Sequence, residues 1–79
     1  MSPALPVVKA KECLKALQRA GFYIDHQTGS HARLFHRLDS TRKVTIPIHN
    51  KDLPAGTLKS ILRQAGITLV DFVRLLKNL

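Results

Sequence analysis

The segment Gly29-Ser30-His31 carries the residue types best suited to chemistry in this chain of 79 residues. Histidine takes up and releases protons near neutral pH, and glycine and serine are typical of turns. About twenty residues later, the stretch 51–62 has the proline and glycine spacing of a loop that leads into a helix. The first segment therefore predicts one acid/base side chain beside a turn. Its position alone favours a solvated or strand-capping histidine with no catalytic role.

The other three histidines predict binding or structural roles. His36 alternates with apolar residues, which favours a partly buried ring with its hydrogen bonds satisfied. His49 precedes a loop, where it either contacts phosphate or is solvated. The four histidines lack the spacing of a zinc site, so we predict neither a metal nor a cofactor. The sequence also has no glycine-rich phosphate loop, paired catalytic carboxylates or Ser-His-Asp set.

The charge balance predicts a polyanionic partner. Thirteen lysines and arginines oppose five acids, which gives a net charge of +8, and 44% of the residues are hydrophobic. This is the composition of a globular protein, and its length predicts a single domain over residues 1–79. Nucleic acid is the favoured partner; the alternatives are an anionic membrane surface, or charge that serves only solubility.

Cysteine usage and hydropathy bear on disulfide bonds, membrane insertion and localisation. Cys13 is the only cysteine, so the chain cannot form an internal disulfide, and its helical spacing predicts a buried side chain. We expect no membrane span, because no apolar run approaches about 18 residues. The first residues lack the basic and apolar regions of a signal peptide, and we therefore expect a cytoplasmic protein.

Apolar periodicity predicts an α+β fold. A loose leader over residues 1–8 is followed by a helix, a three-stranded antiparallel meander, a second helix and a short C-terminal helix, with the helices on one face of the sheet. Pro47 places the third strand at an edge or at a bulge. The predicted ranges are 9–20, 22–27, 31–37, 43–48, 54–65 and 69–76.

The two-residue period of the strands separates a core face from an open face. It places His26 with the inward residues and His31 with Arg33 and Phe35 on the open face. Phe35 is the one candidate for stacking a nucleobase, although it could equally pack locally. The cations predicted to lie near His31 and to bind RNA are Arg33, Arg37, Lys43 and Lys51.

Several of these segments together resemble the HicA family, the toxins of HicAB toxin-antitoxin systems. The resemblance spans roughly residues 9–72. It implies a dsRBD-like α-β-β-β-α fold, an mRNA interferase activity that arrests translation, and a HicB antitoxin that occludes the toxin. The family's catalytic histidine corresponds to His31. The segments that carry the resemblance are Gly21-Phe22, Gly29-Ser30-His31, Thr45-Ile46-Pro47 with His49, and the run from Lys51 to Gly66.

With that resemblance, the sequence predicts a metal-independent endoribonuclease. His31 is the catalytic base or acid, Ser30 orients it, and Arg33, Lys43 and Lys51 hold the RNA phosphate. Two other classes remain open. One is a non-catalytic dsRBD-like module that binds RNA by shape and charge, and the other is a small interaction protein that docks an acidic antitoxin.

Overall fold

The fold has the predicted order of elements. A computed structural model describes residues 4–77, so residues 1–3 of the predicted leader lie outside the described residues. The α+β architecture is confirmed as a three-stranded antiparallel sheet with helices, consistent with a dsRBD-like α-β-β-β-α layout followed by a further helix. The elements are α1 (Ala10–Arg19), β1 (Phe22–Gln27), β2 (His31–His36), β3 (Lys43–Pro47), α2 (Ala55–Ala65) and α3 (Leu69–Lys77).

The predicted glycines end the first two helices. Gly66 has φ +69°, and the N–H of Ile67 bonds to the carbonyl of Leu62 at 3.1 Å, as in a Schellman cap. Gly21 has φ +100°, and a Cβ there would lie 2.9 Å from Nε2 of His36. Both positions therefore require glycine, the first for its backbone conformation and the second also for space.

The sheet order is β1-β2-β3, so β3 is an edge strand and the prediction from Pro47 is confirmed. Pro47 pairs with His31. The neighbouring pair, Ile48 and Ser30, is hydrogen-bonded, because the Ile48 N–H donates to the Ser30 carbonyl at 2.7 Å. Alternate antiparallel pairs exchange hydrogen bonds, which makes His31 and Pro47 a non-hydrogen-bonded pair. The missing N–H of proline therefore costs this ladder nothing.

The core lies between the inner face of the sheet and the helices. Cys13 is fully buried, as predicted, and burial raises the pKa of its thiol to about 12. The thiol therefore stays protonated and unreactive at neutral pH. The largest fully buried side chains are Phe22, Phe72, Leu17, Leu34, Ile46, Leu58, Ile61, Val44 and Cys13.

Arg42 joins the sheet to the end of α2. Its Nε and Nη2 donate to the Ala65 carbonyl at 2.9 and 2.6 Å, and the guanidinium lies 5.3 Å from the ring centroid of Phe22. The helix dipole favours a cation at the C-terminus of a helix. The hydrogen bonds from Arg42 also satisfy the Ala65 carbonyl, one of the last carbonyls of α2, which have no partner within the helix. In the sequence Arg42 reads only as a turn residue, because its partner is 23 residues away.

The turn between β2 and β3 is closed by Asp39. Its carboxylate accepts hydrogen bonds from the hydroxyl of Thr41 at 2.5 Å and from the N–H of Thr41 at 3.0 Å. These bonds favour the charged form and lower the pKa of Asp39 below its usual value.

Among residues 4–77, no helix is long and apolar enough to cross a membrane.

Candidate active site

The loop that presents His31 is closed by a threonine side chain. The N–H of Thr28 donates to the His31 carbonyl at 2.9 Å, and the N–H of His31 donates to Thr28 Oγ1 at 3.1 Å. The hydroxyl thus takes the place of a backbone carbonyl in the last pair of the hairpin. A Cβ built at Gly29 would contact nothing within 4 Å, so the turn itself is open to solvent. The loop therefore holds His31 at the start of β2, where its side chain is exposed.

His31 is exposed, and its ring is oriented by the residue before it. Ser30 Oγ lies 2.9 Å from His31 Nδ1. When Nδ1–H donates to the hydroxyl, Nε2 carries a free lone pair and can accept a proton; protonated at both nitrogens, the ring is an acid. Within the described part of the chain, Nε2 has no hydrogen-bond partner. His31 Nε2 is therefore free to bind a ligand.

A bulge in β1 changes the predicted position of His26. The pairing of β1 with β2 shifts between Ile24 and His26, so that His26 pairs with Arg33 and Gln27 pairs with Ala32. His26 is exposed and shares the open face with Arg33, which corrects the inward position expected from an unbroken two-residue period. The extra residue at the bulge reverses the alternation, and a local pattern does not reveal it.

The sheet register separates the predicted RNA-binding cations. Arg33 follows His31 by two residues on the same face of β2 and is exposed. Lys43 pairs with Phe35, four residues along β2 from His31, or about 13 Å at the rise per residue of a strand. Lys51 is exposed in the loop after β3, three residues beyond Ile48. The cations follow one another along the open face and its adjoining loop.

Tyr23 is a residue of this face that the sequence analysis did not select. It pairs with Phe35 across the two strands, and the ring centroids are 6.4 Å apart. In the sequence the two residues are separated by a turn, and only their register brings them together. Alternation within β1 is enough to place Tyr23 on the face opposite to Phe22, whereas its partner Phe35 is known only from the register.

The remaining histidines, His36 and His49, lie in different environments. His36 Nε2 donates to the Ala20 carbonyl at 3.0 Å, while its Nδ1 accepts the N–H of Leu38 at 3.1 Å. The ring also meets Phe22 edge to face, with centroids 4.9 Å apart. Both ring nitrogens are used, so the structural interpretation of His36 is confirmed. His49 is exposed in the loop after β3.

Metal ligands and cavities are the other features that could form a site. Among residues 4–77, no three histidine, cysteine, aspartate or glutamate side chains are grouped as metal ligands. A cavity of about 640 Å³ lies beside α3, and its lining includes Arg42, Gly66, Asp71 and Arg74. None of its lining residues belongs to the open face of the sheet. The exposed side chains of the open face, which include Tyr23, His31, Arg33 and Lys43, are accessible to a ligand that lies across the sheet.

Comparison with known protein families gives a match over most of the chain. The sequence model of a family described as HicA toxin of bacterial toxin-antitoxin matches residues 10–67, which is more than half of the chain. The matched range includes α1, all three strands and α2, and it ends before α3. No curated protein matches the chain.

Proposed function

The chain belongs to the HicA toxin family, a component of bacterial toxin-antitoxin systems with a cognate antitoxin, and from that premise we propose that it is a metal-independent endoribonuclease. It cleaves mRNA with His31, arrests translation and is neutralised by a HicB-like antitoxin. The observation that carries the proposal is the environment of His31. Ser30 Oγ lies 2.9 Å from its Nδ1, and His31 is exposed on the same face of β2 as Arg33.

RNA supplies its own nucleophile, so the protein needs only a proton acceptor, a proton donor and positive charge. His31 Nε2 takes the proton of the 2′-hydroxyl, and the 2′-oxygen attacks the adjacent phosphorus. The bond from phosphorus to the 5′-oxygen breaks with its electron pair. The departing 5′-oxygen receives a proton from water or from a protonated histidine. The products are a 2′,3′-cyclic phosphate and a 5′-hydroxyl, and no metal or cofactor is consumed.

The cations stabilise charge on the phosphate at different points along the strand. Arg33 is nearest to His31 in the register of β2 and offers a planar donor set for phosphate oxygens. Lys51 approaches from the loop after β3, while Lys43 lies at the far end of the same face. We assign Arg33 and Lys51 to the scissile phosphate and Lys43 to a neighbouring phosphate.

An antitoxin that covers the open face would block this site without altering it. The face and the whole chain are basic, with a net charge of +8, so an acidic surface is the complementary partner. Covering His31 and Arg33 together would exclude RNA by competition for the same cations. We propose that HicB-like neutralisation works in this way.

The direct test incubates the purified protein with single-stranded RNA in buffer containing EDTA. We expect cleavage that yields a 2′,3′-cyclic phosphate end, because none of the steps requires a metal ion. A gel shift without cleavage would instead support the non-catalytic dsRBD-like RNA-binding module. If the protein neither binds nor cleaves RNA, the third class remains, a protein that acts only by docking its partner.

Replacing Ser30 with alanine should lower kcat and leave KM unchanged. The substitution removes the hydrogen bond to His31 Nδ1, a contact worth about 2- to 13-fold in rate if its net value is about 0.5–1.5 kcal/mol. Steady-state cleavage of a fluorescent RNA measures both constants. Ser30→Thr retains the hydroxyl and should restore activity, while Ser40→Ala, an exposed serine in the next turn, should have no effect. A Ser30→Ala enzyme with unchanged kcat would remove Ser30 from the mechanism.

A further inference from the structure

The open face of the sheet carries an exposed aromatic pair that the mechanism does not use. Tyr23 on β1 and Phe35 on β2 are cross-strand neighbours, with ring centroids 6.4 Å apart and ring planes at 37°. Tyr23 keeps 42% of its surface exposed, and Phe35 is half-buried. Such pairs stabilise a sheet, but this pair also offers an apolar surface that no helix covers.

The surroundings of this pair are cationic. Lys43 Nζ lies 5.9 Å from the ring centroid of Phe35 and is exposed beside it. Arg33 is the next residue toward His31 on this face of β2. The paired positions of the open face hold aromatic, basic or uncharged side chains, and the acid Asp25 lies at the bulge, outside the paired register. Aromatic rings next to cations form the usual surface for single-stranded nucleic acid.

We propose that Tyr23 and Phe35 form a base-binding subsite, which stacks an unpaired nucleobase of the RNA while Lys43 contacts its backbone phosphate. This proposal rests on the proposed function, because it extends the same RNA along the same face. The subsite lies about 13 Å from His31 along β2, at the rise per residue of a strand. It therefore binds a nucleotide that flanks the cleaved bond and is not itself cleaved.

The subsite selects single-stranded RNA. In a duplex the faces of the bases are covered by their neighbours, whereas an unpaired base can turn onto an aromatic ring. Every base has a π-face, so stacking here contributes affinity with little sequence preference. A base on one aromatic platform typically contributes a factor of about 5 to 150 in affinity.

The first test measures binding of a short fluorescent oligouridine by anisotropy, in a His31→Ala background so that no RNA is cleaved. Tyr23→Ala should weaken binding about 5- to 150-fold, and Tyr23→Phe, which keeps the ring, should bind as the parent does. Leu38→Ala is the matched control, because Leu38 is 92% exposed in the turn after β2. Circular dichroism confirms that each variant is folded. Equal affinity of Tyr23→Ala and its parent would overturn the proposal.

Abasic nucleotides identify the contact more sharply. One abasic residue is moved along the oligouridine, and each version is bound to the parent and to Tyr23→Ala. At one position the missing base should weaken RNA binding by the parent but not by Tyr23→Ala, because the same contact cannot be lost twice. Additive losses at every position would show that Tyr23 contacts no base. Loss of self-association in Tyr23→Ala with unchanged RNA affinity would assign the face to a second copy of the chain and likewise overturn the proposal.

The unmodified protein provides a second measurement. Tyr23 is the only tyrosine and the chain has no tryptophan, so its intrinsic fluorescence reports on this ring alone. Oligouridine should quench it with a saturable dependence on concentration, after correction with free tyrosine at equal nucleotide absorbance. Binding without quenching would contradict stacking. Quenching without any cleavage by the same protein would preserve the subsite and refute the endoribonuclease, so the two failures are distinguishable.

Discussion

Replacing His31 with alanine will reduce RNA cleavage by about 100- to 10,000-fold, the usual contribution of a positioned general acid or base. His31 is exposed at the start of β2, and its ring contributes nothing to the buried core. The variant should therefore fold and bind RNA with an affinity close to that of the parent. Cleavage is measured by gel with a labelled single-stranded RNA, and folding by thermal unfolding.

Two other exposed histidines are the matched controls for this loss. His26 shares the open face because of the bulge, and His49 lies in the loop after β3. His26→Ala and His49→Ala should each keep most of the activity, since neither ring is oriented as His31 is by Ser30. Full cleavage by His31→Ala would refute the assignment. Equal losses in all three variants would point to lost positive charge or RNA contact instead of proton transfer.

Phe72→Ala should be among the most damaging single substitutions outside the open face. Phe72 is 0% exposed on α3, and truncating a buried phenylalanine costs about 3–5 kcal/mol. A domain of this length has a free energy of unfolding of only about 4–12 kcal/mol. Urea unfolding followed by circular dichroism should show a much lower midpoint, or no folded state at all.

This result would show that α3 belongs to the folded domain, although the family match ends at residue 67. The helix packs against α1, and Arg19 Nη1 donates to the Leu75 carbonyl at 2.6 Å. Val70 lies on the same helix with 47% of its surface exposed, so Val70→Ala should change stability by no more than about 0.5 kcal/mol. If Phe72→Ala were as stable as Val70→Ala, α3 would be an appendage of the domain.

The helices and strands could be predicted because their signals are local. Apolar spacing located α1, Gly21 and Gly66 located the ends of the first two helices, and Pro47 placed β3 at an edge. Each signal acts within one or two turns of backbone or between neighbouring positions of a strand. Burial of Cys13 and the hydrogen-bonded role of His36 followed from the same periodicity.

The candidate site was only partly accessible in this way. Gly29-Ser30-His31 marked a candidate acid/base residue beside a turn, and the resemblance to the HicA family proposed its catalytic role. The hydrogen bond between Ser30 and His31 could be anticipated because the two residues are adjacent. The open-face position of His26 could not, since one extra residue in β1 reverses the alternation. The separation of Lys43 from His31 also depends on how β2 and β3 are aligned.

The sequence by itself therefore determined the elements, the basic charge and the histidine beside the turn. Only the tertiary structure decided which side chains are neighbours on the open face: His26 beside Arg33, and Tyr23 and Lys43 beside Phe35. The physical reason is that periodicity arises from the backbone of one segment, whereas strand register is set by hydrogen bonds and packing between segments distant in the chain. The sequence marked His31 as a candidate, but which side chains lie beside it on the open face is set only in the assembled sheet.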